Sequence, residues 1–136
     1  MKVFIDSNIP MYVAGEEHPH KEQSRRFLTK VQRGEFEGCT SVEVLQEILY
    51  RYCSLGKREL AREVYDLFVQ ISRAVLPVTL AETDRARDLL GEVEGISARD
   101  ALHAAVMINH DVEWIATFDS GFDRIPGIRR IELQRD

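Results

Sequence analysis

Three apolar residues in a row, Val3-Phe4-Ile5, stop at Asp6-Ser7-Asn8. A strand with one face in water alternates apolar and polar residues. An unbroken run therefore belongs to a strand covered on both faces, as in a parallel sheet between helices. Ser7, Asn8 and Pro10 then supply the chemistry of a helix start. The pattern returns late in the chain: Trp114-Ile115-Ala116-Thr117-Phe118 is a second apolar run, and it ends at Asp119. If both runs are parallel members of one sheet, Asp6 and Asp119 emerge on the same edge. That is the carboxyl edge, where open α/β sheets bind their ligands.

Helices and short strands alternate between these runs. A short helix is expected from Ile9 to Ala14, broken at Gly15, and a longer one from Lys21 to Arg33, with Phe27, Leu28 and Val31 at helical spacing and Gly34 as its stop. A strand over residues 35–40 leads into a helix at Ser41 that carries Val42, Leu45, Ile48, Leu49 and Tyr52 on one stripe. The next helix, Lys57 to Ser72, turns Leu60, Val64, Leu67, Phe68 and Ile71 inward. Residues 75–78 are extended, with Pro77 suited to an edge or a strand end. Helices follow from Leu80 to Leu90 and from Ser97 to about Asn109, and a last strand covers 128–133. The expected fold class is α/β: a three-layer α/β/α arrangement with a mainly parallel central sheet, right-handed crossovers, and a helical hairpin over 41–72. With 136 residues, 1–136 is expected to be a single domain.

The net charge of −5 argues against a protein that coats nucleic acid by general electrostatics, but not against an enzyme that grips a few phosphates locally. No apolar run approaches the ~18 residues of a membrane span, and the apolar stretch after Met1 is too short for a signal peptide. Cys39 and Cys53 lack any C-x-x-C spacing and read as buried free thiols. A cytoplasmic protein with no membrane partner is expected.

Two further acids stand out. Asp100 lies in the first turn of a helix that is apolar all round from Ala101 to Ile108 except for His103. Ser97-x-x-Asp100 resembles a capping box, so helix capping explains Asp100 taken alone. Glu43 and Glu47 share the face opposite the apolar stripe, where pairing of Glu47 with Arg51 on a solvated face is the plain account. Asp6 and Asp119 also suit helix caps. Together, however, carboxylates at two strand ends and two helix starts are the parts of an acidic pocket, which needs a counter-charge. Oxygen ligands without a Cys or His cluster favour Mg²⁺ or Mn²⁺, and such a site suits metal-assisted hydrolysis of a phosphodiester. Ser7, Asn8 and Thr117 would donate hydrogen bonds to its carboxylates or to metal-bound water.

Four stretches carry a family resemblance. Asp6-Ser7-Asn8, Ser41-Val42-Glu43-Val44-Leu45-Gln46-Glu47-Ile48-Leu49, Asp100-Ala101-Leu102-His103-Ala104-Ala105 and Thr117-Phe118-Asp119-Ser120-Gly121-Phe122 resemble, in order, the motifs of the PIN domain. The resemblance implies a metal-dependent ribonuclease, often the VapC-type toxin of a toxin–antitoxin pair and often a homodimer. Its metal would be held by Asp6, Glu47, Asp100 and Asp119. The motif's glutamate lies well inside its helix, which selects Glu47 over Glu43. Asp123, just past the fourth motif, reads as an outer carboxylate or a solvated loop acid. His103 reads as a helix-packing histidine, with a general acid or base as the alternative. Basic residues on two helices (Arg25, Arg26, Lys30 and Arg33; Lys57, Arg58 and Arg62) read mostly as solvated faces, while these or Arg51 and Arg99 are candidates for binding RNA phosphates. Haloacid-dehalogenase phosphatases and response-regulator receivers do not account for the Ser41 helix. A non-catalytic PIN-like module that binds RNA or protein is the rival reading.

Overall fold

The structure is a computed structural model that describes residues 1–133. Five parallel strands form one sheet in the order β3-β2-β1-β4-β5, with helices on both sides. The elements run β1 Lys2–Ile5, α1 Asn8–Ala14, α2 Lys21–Gln32, β2 Glu37–Ser41, α3 Val42–Ser54, α4 Arg58–Ile71, β3 Ala74–Leu76, α5 Leu80–Glu92, α6 Ala98–Asn109, β4 Trp114–Ala116, a 3-10 helix Ser120–Arg124 and β5 Arg129–Arg130. Val3, Phe4 and Ile5 are completely buried, as a strand with neighbours on both sides and helices on both faces requires. Gly38 on β2 is a packing necessity: a Cβ there would stand 2.8 Å from Val31 Cγ1 and 2.9 Å from Ile5 Cδ1.

The strand order locates the site. From β1 the chain moves outward to β2 and then β3, through α1–α2 and α3–α4. It then crosses back over β1 through α5–α6 to reach β4, and continues outward in the other direction to β5. The segments leaving β1 and β4 therefore diverge, and right-handed crossovers place their helices on opposite faces. Such a switch point opens a crevice at the carboxyl ends of the strands. Asp6 and the segment Thr117–Asp119 flank it.

Several expected boundaries and orientations shift. The Trp114 strand ends at Ala116, because the Thr117 hydroxyl accepts from the Asp119 N–H at 3.0 Å and turns the chain out of the ladder. The last strand is only Arg129–Arg130, since its partner β4 is itself three residues long. On α4 the core stripe centres on Ala61, Val64 and Phe68, so Leu67, about 100° round the helix from Phe68, faces solvent rather than the core. Val42, at the first helical position of α3, is likewise exposed, and Cys53, one residue past the buried Tyr52, is an exposed thiol. Cys39 is buried, and burial pushes its thiol up to about 11. The helices from Ser41 and Lys57 form the expected hairpin, in which α4 packs on α3 and also reaches α1 and α2. Among the described residues no helix is long and apolar enough to cross a membrane.

Candidate active site

Asp6 follows directly from β1, and its N–H extends the ladder by donating to the Ala116 carbonyl at 3.1 Å. Its side chain is buried and fully engaged. Oδ1 accepts from the Ser7 N–H at 2.7 Å, and Oδ2 accepts from the Thr117 hydroxyl at 2.8 Å and the Asn8 amide at 3.5 Å. The Asn8 amide also donates to Thr117 Oγ1 at 3.0 Å. Ser7, Asn8 and Thr117 thus fix the orientation of Asp6 from both sides of the switch point.

Glu47 lies in the middle of α3 and points into the crevice rather than toward Arg51. Its Oε1 is 2.5 Å from His103 Nε2, and its Oε2 accepts from Arg99 Nη1 at 3.2 Å and the Ser7 hydroxyl at 3.4 Å. His103 Nε2 is also 3.9 Å from Asp6 Oδ1, which ties Asp6 and Glu47 into one group. His103 itself is completely buried. Burial opposes its charged form, but the hydrogen bond to Glu47 and the charge of Asp6 outweigh this, and its pKa is raised. This histidine does more than pack the helix. The signal was its spacing: Arg99, Asp100 and His103 recur at three and four residues on one face of α6.

Asp100 and Asp119 form the other half of the site. Ser97 caps α6 by accepting from the Asp100 N–H at 3.0 Å, so the helix start is served by the backbone of Asp100 and not its carboxylate. That carboxylate is buried, and its Oδ1 has no hydrogen-bond partner. Burial, then the charge and hydrogen bond of Asp119, push its pKa up to about 6 against the opposing pull of Arg99. Asp119 caps the 3-10 helix with Oδ1, which accepts from the Gly121 N–H at 2.8 Å, while Oδ2 is 3.6 Å from Arg99 Nη2. Gly121 allows the two acids to meet, because a Cβ there would lie 3.0 Å from Asp100 Oδ2 and 3.0 Å from Asp119 Oδ1. Arg99 bridges the halves: besides Glu47 and Asp119, its Nε lies 3.8 Å from Asp100 Oδ1. The sites expected far apart in the chain therefore share one cup. Asp123 instead makes a two-pronged pair with Arg130, at 2.9 Å for each contact.

The model of the PIN domain matches residues 3–128. The chain belongs to the PIN domain family. Ribonuclease VapC13 of Mycobacterium tuberculosis is 43% identical over 129 residues, covering 95% of this chain and 98% of the relative. Ribonuclease VapC23 of the same organism is 33% identical over 117 residues, covering 86% and 92%. A chain in the crystal structure of VapBC2 from Rickettsia felis, bound to a DNA fragment from their promoter, superposes with a TM-score of 0.74 over 96% of this chain and 98% of that one, at 23% identity.

PIN nucleases generally use divalent metal ions, and the residues of this PIN site fit one. Asp6, Glu47 and His103 offer ligand atoms that all lie within 4.8 Å of one another. Asp100 Oδ1 adds a buried acceptor without a partner. Four carboxylates against the Arg99 guanidinium and one imidazole leave excess negative charge in a partly desolvated crevice, which a divalent cation would offset.

Proposed function

We propose that this chain is a Mg²⁺- or Mn²⁺-dependent endoribonuclease of the VapC kind, the toxin partner of an antitoxin protein, and that Asp6, Glu47, Asp100 and Asp119 hold the metal. The observation that carries this reading is the convergence of four acids from β1, α3, α6 and the β4 end on one crevice, with Asp100 buried and only partly hydrogen-bonded. When bound, the ion would supply an activated water and a Lewis-acid contact to a phosphate oxygen. The protein's own part is to preorganise. Ser7, Asn8 and Thr117 lock Asp6, while His103 and Ser7 turn Glu47 inward. Arg99, whose side chain is half exposed, is placed to turn from the carboxylates to an incoming phosphate. Asp123 belongs to the outer wall through Arg130.

The same reading extends to a single domain over 1–136, a cytoplasmic setting consistent with two free thiols, and a homodimer or higher homo-oligomer. Exposed Tyr50, Leu67 and Leu80 offer apolar surface for a second copy. The test is incubation with labelled single-stranded RNA in Mn²⁺ and in EDTA. Cleavage that needs the metal and disappears in Asp6→Asn supports the proposal. Absence of cleavage across a broad RNA panel would favour a non-catalytic interaction module.

A further inference from the structure

Beside the acids stands a second, unlike group of side chains. Phe118 lies between Thr117 and Asp119 in the chain, and its ring stacks on His20 with centroids 3.9 Å apart and planes at 12°. Tyr12, one helical turn after Asn8, meets the Phe118 ring edge-on at 5.4 Å and lies 4.5 Å from His18, which is 5.0 Å from His20. The segment after β4 therefore carries both an acid, Asp119, and a ring, Phe118, while Tyr12 stands on α1, the helix that follows Asp6. A cluster made only for packing is buried, but here His18 is exposed and Tyr12, His20 and Phe118 are partly so. His20 and Phe118 of this cluster border a hollow of about 1230 Å³ that is also lined by Pro19, Gln23, Thr117 and Arg130, among others. Thr117 is also the residue that donates to Asp6, so the hollow and the acid cup share a wall.

We infer that the Tyr12–His18–His20–Phe118 cluster is a stacking platform for an unpaired nucleobase of the RNA strand, next to the phosphodiester held at the acids. The inference rests on the ribonuclease reading and adds the substrate subsite to it. Two arguments favour RNA as the occupant. Proteins that bind single strands stack bases on Phe, Tyr and His side chains, and this tolerates any base. General attraction to RNA phosphates is weak in this chain: its net charge is −5, and several of its arginines pair with acids, Arg25 and Arg26 with Glu22, Arg62 with Glu59 and Arg130 with Asp123. Stacking supplies affinity that phosphate attraction does not.

The test uses single-stranded oligoribonucleotides with one 2-aminopurine moved stepwise along the strand, titrated into the full chain carrying Asp6→Asn, with Mn²⁺ present. Fluorescence should be quenched in one register only. In the same background Phe118→Leu should abolish the quenching and weaken binding roughly fivefold to a hundredfold, and Phe118→Trp should restore both. An abasic nucleotide in that register should lose the same factor, with Phe118→Leu adding nothing further. His20→Ala, read the same way, stands in if Phe118→Leu melts early. Quenching in no register, or equal weakening of base-containing and abasic strands, overturns the platform. Unchanged RNA affinity with loss of antitoxin binding would give the rings to the protein partner and also overturn it. Cleavage by the wild-type chain in Mn²⁺ is scored separately. If the chain cuts RNA without any quenching, the platform alone fails; if it cuts none, the ribonuclease reading fails.

Discussion

Glu82 and Asp100 occupy the same place on neighbouring helices: each is the third residue of its helix, behind a Thr or Ser cap, and each is only 5% exposed. Their surroundings differ completely. Glu82 accepts from the Thr79 N–H, the Thr79 hydroxyl and the Asn109 amide, all at 2.7 Å, and these hydrogen bonds, that of Asn109 first, hold its carboxyl down at about 2. It completes a capping box and staples α5 to the end of α6. Asp100 faces another carboxylate across Gly121, keeps one oxygen without a partner and is pushed up to about 6. Helix position and burial thus do not separate an acid that holds the fold from one that is proposed to hold a metal. The hydrogen-bond census does.

The sharpest break of the comparison is by substitution at each position. Asp100→Asn should lower metal-dependent RNA cleavage by at least about a hundredfold, read in single-turnover assays, while leaving the thermal midpoint equal or higher. Glu82→Gln should do the reverse: a midpoint lower by several degrees in calorimetry, with Mn²⁺ affinity unchanged. A Glu82→Gln protein that melts with the wild type would remove the distinction.

Acid titration of the metal-free chain separates the two more gently. The folded pKa of Glu82 is depressed, so its contribution to stability is complete above the ordinary glutamate range and fades as the pH falls from there toward about 2. The folded pKa of Asp100 is raised, so its ionisation costs stability above about 6, and protonation relieves that cost as the pH falls toward the ordinary aspartate range. In EDTA, Asp100→Asn should therefore gain stability over the wild type as the pH rises from the ordinary aspartate range to about 6 and hold that gain above it, and Glu82→Gln should approach the wild type only in strong acid. The smallest expected effect is at Arg99. Arg99→Gln removes the cation that spans Glu47, Asp100 and Asp119, and should tighten Mn²⁺ binding roughly fivefold by calorimetry. Weaker binding would show that the guanidinium orders the acids rather than competing for them.

Much of this was legible in residue order. The runs at Val3 and Trp114 revealed two buried parallel strands, and the acids that end them pointed to one edge, because a doubly covered strand leaves few arrangements open. Capping and catalysis at Asp100 could not be told apart in sequence, since Ser97-x-x-Asp100 has the form of a capping box whether or not the carboxylate takes part. His103 reads as packing in sequence because its spacing to Arg99 and Asp100 marks a shared face of α6 but not what lies across the crevice. Its partner Glu47 is 56 positions away. Leu67 was misplaced because Leu60, Val64, Leu67 and Ile71 form as good an apolar stripe as the one the fold uses, and only the burial of Ala61 decides between them. β5 was overestimated because strand length is set by the neighbour.

Gly121 owns no functional group, yet one carboxyl oxygen of Asp100 and one of Asp119 each stand only 3.0 Å from the point where its missing side chain would begin. One added carbon at that spot would crowd both carboxylates and require them to give by a few tenths of an ångström, while all four acids stayed in the chain. The spacing of these two acids thus depends on a position that an inspection of the acids alone would pass over.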